Sequence, residues 1–105
     1  MRFLVLGLLF FSGLANAVCG LKDAKVVSTH RYHDGWIFVN FDKSINCDCP
    51  QKWRLAFKDD SNNMDYVKSM VLVAYSSQVS VNAWAKDNVC SVHGNTAILT
   101  TFQLN

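Results

Sequence analysis

Apolar and polar positions divide this chain into short segments whose period changes to helical and back. Ala24 to His33, "AKVVSTHRYH", is rich in β-branched and aromatic residues and predicts a strand. Asp34-Gly35 follows as a two-residue hairpin turn, and Trp36 to Lys43, "WIFVNFDK", predicts the return strand. Lys52 to Lys58, "KWRLAFK", alternates, with Trp53, Leu55 and Phe57 on one face and Lys52, Arg54 and Lys58 on the other. The period then becomes helical. Met64, Val67, Met70, Val71 and Ala74 form one apolar stripe, preceded by the N-cap candidates Asp59, Asp60, Ser61 and Asn62. The β-branched run Val71 to Val73 leaves a strand open as the alternative there. Gln78 to Ala85 alternates again, and Thr96 to Leu104 predicts a last strand.

The expected order is β-β-β-α-β-β, mostly β with one helix, which is the order of a small five-stranded OB-fold-like barrel. A flat α+β sheet of the same order is the alternative. The two-residue turn sets a register in which His33 faces Trp36, Arg31 faces Phe38 and Thr29 faces Asn40. Tyr32, Ile37, His30, Val39, Ser28 and Phe41 then form the other, more apolar face, which is assigned to the core. Arg31, His33, Trp36 and Phe38 are thereby expected outside, as a partner or ligand surface of aromatics and cations.

Residues 1–17 read as a signal peptide: Met1-Arg2, the apolar run Leu4 to Phe11, and the small-residue site Ala15-x-Ala17. The run is too short for a membrane-spanning helix. Residues 18–105 then form a single disulfide-bonded domain, secreted or periplasmic, with no membrane span after cleavage. Losing Arg2 leaves nine basic residues against eight acidic ones, all Asp. That balance excludes nucleic-acid binding through a clustered basic surface.

Cys19, Cys47, Cys49 and Cys90 all lie in the mature part. Cys47-x-Cys49 with Cys90-x-x-His93 has the atoms of a zinc set. The oxidising compartment and the neighbours Asp48 and Pro50 favour two disulfides over a metal or a reactive thiol. In a barrel of this order the ends carrying all four meet at one pole. One cysteine of the "CDC" pair then reaches Cys19 and the other Cys90, with the assignment between them open. His30-x-x-His33 is a poor metal pair, since strand side chains three apart point to opposite faces. No serine sits in a nucleophile-elbow pattern, and Asp59-Asp60 suits a solvated turn. A non-enzymatic protein without cofactor or metal is therefore expected.

The run "YVKSMVLVAYSSQVSVNAW", then Cys90, then a strand ending "TTFQLN", resembles a group of small exported bacterial proteins. These in turn are similar to B subunits of AB5-type toxins, in particular of the subtilase cytotoxin kind. The resemblance spans Ile45 to Asn105 and implies an OB-fold and a pentameric, glycan-binding role. No binding motif of those toxins maps onto named residues here. The functional expectation is an exported binding domain for a glycan or protein partner, forming a homo-oligomer. The alternative is an inhibitor or structural envelope protein with no small-molecule ligand.

Overall fold

A computed structural model describes residues 19–59 and 64–105. The signal peptide expected over residues 1–17 lies outside the described residues, as do the N-cap candidates Asp60, Ser61 and Asn62. The elements are β1 (Gly20–Ala24), β2 (Val26–Arg31), β3 (Trp36–Phe41), β4 (Arg54–Lys58), α1 (Asp65–Ser77), β5 (Val81–Ala85) and β6 (Ala97–Leu104). The fold is mostly β with one helix. β2 is the expected first strand, shortened to Val26–Arg31, and β1 precedes it where no strand was expected, so there are six strands rather than five.

The strands form an open sheet in the order β1-β5-β6-β4-β3-β2. All neighbours are antiparallel except β4 and β6, which run parallel through Leu55–Ala97 and Ala56–Ile98. This replaces the expected five-stranded closed barrel. The two outermost strands, β1 and β2, are nonetheless consecutive in the chain and separated by Lys25 alone. Two peptide units span at most about 7.6 Å between Cα atoms. The two edges of the sheet must therefore approach each other at that corner, and the sheet coils steeply to allow it. Asp42 pins the junction to the end of β3: its carboxylate accepts from the Lys25 N–H at 2.8 Å, and its N–H donates to the Lys25 carbonyl at 3.0 Å.

Two irregularities flank the junction at Lys25. The β1–β5 register shifts between Leu21 and Ala24, where Asp23 is left-handed (φ 53°), and the β2–β3 register shifts between Val26 and Ser28. A bulged residue bends its strand and increases local twist.

The main core lies on one face of the sheet, where Val26, Ile37, Val39, Leu55, Phe57 and Leu99 pack beneath the helix. Helix α1 supplies Val67, Val71 and Ala74, with Met64 and Met70 partly buried beside them, so the apolar stripe read from the sequence is the packing face. The helix begins at Met64 without a side-chain cap and ends at left-handed Gln78 (φ 57°), whose N–H donates to the Ala74 carbonyl. The Gln78 side chain crosses to the Val26 carbonyl at 3.1 Å and ties the helix end to β2. Ending at Gln78 shortens the following strand, which starts at Val81 rather than Gln78. Trp53, expected on one strand face with Leu55 and Phe57, precedes β4 and is 54% exposed.

Cys19 bonds Cys47, and Cys49 bonds Cys90. The segment Ile45 to Cys49 is thereby clamped between the start of β1 and the β5–β6 connection. All four sulfurs are bridged, so none remains as a thiolate to hold zinc. Asn46 adds to the clamp: its Oδ1 accepts from the Gly20 N–H at 2.8 Å, and its N–H donates to the Gly20 carbonyl. Closing loops of 28 and 41 residues stabilises the fold by about 3.5–4 kcal/mol each in the chain-entropy model.

Two outcomes follow. Peptide mapping without reduction will recover Cys19–Cys47 and Cys49–Cys90 as separate linked pairs, and Cys19→Ser with Cys47→Ser will lower unfolding stability by about 2–5 kcal/mol. Gly20→Ala will cost about 1–3 kcal/mol by denaturant titration, because the added Cβ would strike the Ala83 carbonyl oxygen and the Trp84 Cα, backbone that cannot swing aside.

Candidate functional site

The β2–β3 hairpin closes through three residues, His33, Asp34 and Gly35. The Tyr32 carbonyl accepts from the Gly35 N–H at 3.0 Å, the Tyr32 N–H donates to the Trp36 carbonyl at 2.9 Å, and Gly35 is left-handed at φ 94°. This is a type I turn followed by a glycine bulge, the standard three-residue hairpin. It displaces the expected register by one residue: Ser28 pairs with Asn40, Thr29 with Val39, His30 with Phe38 and Arg31 with Ile37.

The slip divides the expected surface of Arg31, His33, Trp36 and Phe38. Ile37, Val39 and Phe41 face the core as expected, but their partners on β2 are Thr29 and Arg31, not His30 and Tyr32. Arg31 stands on the helix side, where its Nε donates to Asp59 Oδ2 at 2.9 Å. Lys68 of α1 donates to the other oxygen of that carboxylate at 2.6 Å. Lys68 and then Arg31 hold the Asp59 carboxyl below its usual range, and the same contact raises Lys68. His33 sits in the exposed turn. Trp36 and Phe38 do share the outer face, yet Phe38 is 0% exposed.

Phe38 is buried because this side of the sheet carries its own small core. Phe38, Ala56 and Val92 pack together, with Trp36 and Ile98 partly buried against them. β3 and β4 are thus covered on both faces, and near-continuous apolar runs replace clean alternation. The cover is the β5–β6 connection, residues 86–96, which folds back over the sheet. Its tip is a tight turn in which His93 (φ 54°) and Gly94 (φ 74°) are both left-handed, between Val92 and Thr96, which form an isolated bridge. Arg54 secures the base, donating from Nε to Thr96 Oγ1 at 2.9 Å and from Nη2 to Asn95 Oδ1 at 3.2 Å.

The turn aims His93 at the hairpin. Its Nε2 lies 2.9 Å from Asp34 Oδ2, so the two loops are joined 59 residues apart in sequence. Around Phe38 the rings of His30, Tyr32 and His93 stand 5.0–5.4 Å away, and the Arg54 guanidinium lies 4.4 Å above its centroid. Lys58 Nζ lies 4.9 Å from the Trp36 ring centroid. The accessible residues of this surface are Tyr32, Trp36, His30, His93, Asp34 and Lys58. Beside it, His33, Asp34, Gly35 and Lys58, with Arg31 and Asp59, line a polar recess of about 270 Å³. The sequence reading named Trp36 and Phe38 but missed Tyr32 and His30. His-Asp-Gly before Trp36 fits a three-residue loop as well as a two-residue one, and that choice decides the face. Nothing in the sequence pairs His93 with Asp34.

The His93 ring and then the Trp36 N–H hold the Asp34 carboxyl below its usual value near 4. A carboxyl depressed on folding stabilises the fold above its unfolded pKa and loses that contribution as pH falls through its folded pKa. Asp34→Asn will therefore melt below wild type at about pH 6, and the gap will narrow as pH falls into the acid range when thermal midpoints are compared. No protein-family model matches the chain, and no curated protein matches it in sequence.

Proposed function

We propose that this chain is an exported, non-enzymatic binding domain that recognises a carbohydrate on the surface around Tyr32 and Trp36. The observation that carries the reading is the junction of two loops over β3 and β4 by Asp34 and His93. Accessible aromatic rings, which offer flat apolar faces, are placed there beside a carboxylate, imidazoles and an ammonium, which can bond hydroxyl groups. Lys58, over Trp36, is a flexible arm that a ligand can displace.

The architecture supports the same reading. Taking β1 and β2 as two halves of one bent strand gives five strands in the OB order, with a helix between the third and fourth. In OB-folds, the second and third strands together with the 1–2 and 4–5 loops bind oligosaccharides and oligonucleotides. Those positions fall here on β3, β4, the His33–Gly35 turn and residues 86–96. The near-neutral charge of the mature chain favours the oligosaccharide. The sequence likeness to AB5-type toxin B subunits belongs to this reading, with a homo-oligomer as the expected form. Export is supported by the two disulfides, which persist in oxidising compartments. Among the described residues no helix is long and apolar enough to cross a membrane.

The exported chain, fluorescently labelled and applied to a glycan array, will bind a defined set of carbohydrates, and Trp36→Ala will weaken that binding by about tenfold or more. Undiminished binding by Trp36→Ala removes this surface from the proposal. A silent array with a protein ligand recovered instead replaces the carbohydrate reading by the inhibitor one.

A further inference from the structure

The two disulfides differ in access. Cys19, Cys47 and Cys49 are 4%, 4% and 2% exposed, and all three belong to the main core. Cys90 is only partly buried against that core, and its chain neighbours Val89 and Ser91 are both exposed. Cys19–Cys47 is therefore sealed at both ends, whereas Cys49–Cys90 offers its Cys90 end to solution. Thiol–disulfide exchange needs a thiolate to reach one sulfur of the bond, so access ranks the second bond as the more reducible.

The bonds also differ in what they hold. Cys19–Cys47 joins β1 to a segment with other ties. Ile45 is buried, its N–H donates to the Lys52 carbonyl at 2.7 Å, and Asn46 makes two hydrogen bonds to Gly20. Cys49–Cys90 holds the first half of the β5–β6 connection, where no residue from Lys86 to Ser91 is buried. The hydrogen bonds beside it are a surface pair: Asn88 Oδ1 accepts from the Asp48 N–H at 2.6 Å, and Asn88 Nδ2 donates to Asp48 Oδ2 at 3.0 Å. Water competes for such bonds, so the covalent link is the main root of the loop. Beyond it, Val92 covers Phe38 and His93 meets Asp34.

We propose that Cys49–Cys90 is a reducible latch. A protein dithiol of the thioredoxin class opens it, which frees residues 86–96 and uncovers Phe38 while Cys19–Cys47 and the sheet stay intact. A thiolate of the dithiol attacks Cys90 Sγ. The Cys49–Cys90 bond breaks, Cys49 Sγ leaves with the bonding pair and takes a proton, and a mixed disulfide joins Cys90 to the reductant. The second thiol of the reductant attacks its partner sulfur in that mixed bond, and Cys90 leaves and is protonated. Two electrons and two protons pass to the chain, and the dithiol becomes a disulfide. The latch acts on the order of the Tyr32–Trp36 surface and holds whatever ligand that surface takes.

The oxidised chain, treated with reduced thioredoxin, alkylated at intervals and peptide-mapped, tests this. Cys49 and Cys90 will be alkylated at least about tenfold faster than Cys19 and Cys47. In the chain that keeps only Cys19–Cys47, amide exchange will rise at least about tenfold at Val92, Asn95 and Thr96, whose N–H groups close the loop tip, and will not change in β3 and β4. Cys49→Ser with Cys90→Ser will show the same exchange pattern with no reductant present. The proposal is overturned if thioredoxin opens neither bond, if Cys19 and Cys47 are alkylated as fast, or if the loop-tip amides keep their oxidised exchange rates. It is also overturned if exchange in β3 and β4 rises with the loop or the double variant fails to fold, for then the bond holds the whole fold rather than a loop.

Discussion

Gly35 in the left-handed region closes the β2–β3 hairpin, and both faces of the molecule take their residues from that closure. A β-strand has a period of two, so one residue more or fewer in the turn exchanges inside for outside along all of β2. With three residues in the loop, Thr29 and Arg31 go to the helix side, and His30 and Tyr32 join Trp36 and Phe38. The Arg31–Asp59–Lys68 cluster and the ring cluster around Phe38 both follow from this choice. So does the reach of His93, whose partner Asp34 sits in the same turn.

The second dependence is on the cross-links. A domain this small buries a modest fraction of its surface, and the connections at residues 42–53 and 86–96 are long for it. Cys19–Cys47 and Cys49–Cys90 remove much of their freedom before any packing is counted. The second bond also roots the loop that lays Val92 on Phe38 and His93 against Asp34. The ordered outer face is therefore a property of the oxidised chain.

Much of the fold was legible. The helix announced itself through Val67, Val71 and Ala74 at 3.6-residue spacing, a signal that survived the β-branched Val71 to Val73. The inward set Ile37, Val39 and Phe41 was right, as was the gathering of four cysteines around "INCDCP". What failed was β2, for a physical reason: "AKVVSTHRYH" contains a bulge at Val27 and ends in a glycine-bulge turn, and each moves the alternation by one. Phe38 was misread because alternation assumes one wet face, whereas a distant loop covers this one. Of the residues expected together outside, Trp36 lies on the outer face and Arg31 on the far side of the sheet.

The two irregularities between Gly20 and Arg31 have a joint consequence. Inward positions run Leu21, then Ala24 and Val26, then Thr29 and Arg31: odd, even, odd. Each extra residue inverts the phase of the strand, and the pair restores it. The first strand can thus turn a corner from one end of the sheet to the other and arrive in the phase with which it began. Evolution can lose neither bulge alone, for a single deletion would turn half the strand inside out, whereas losing both would keep the parity and sacrifice only the bend.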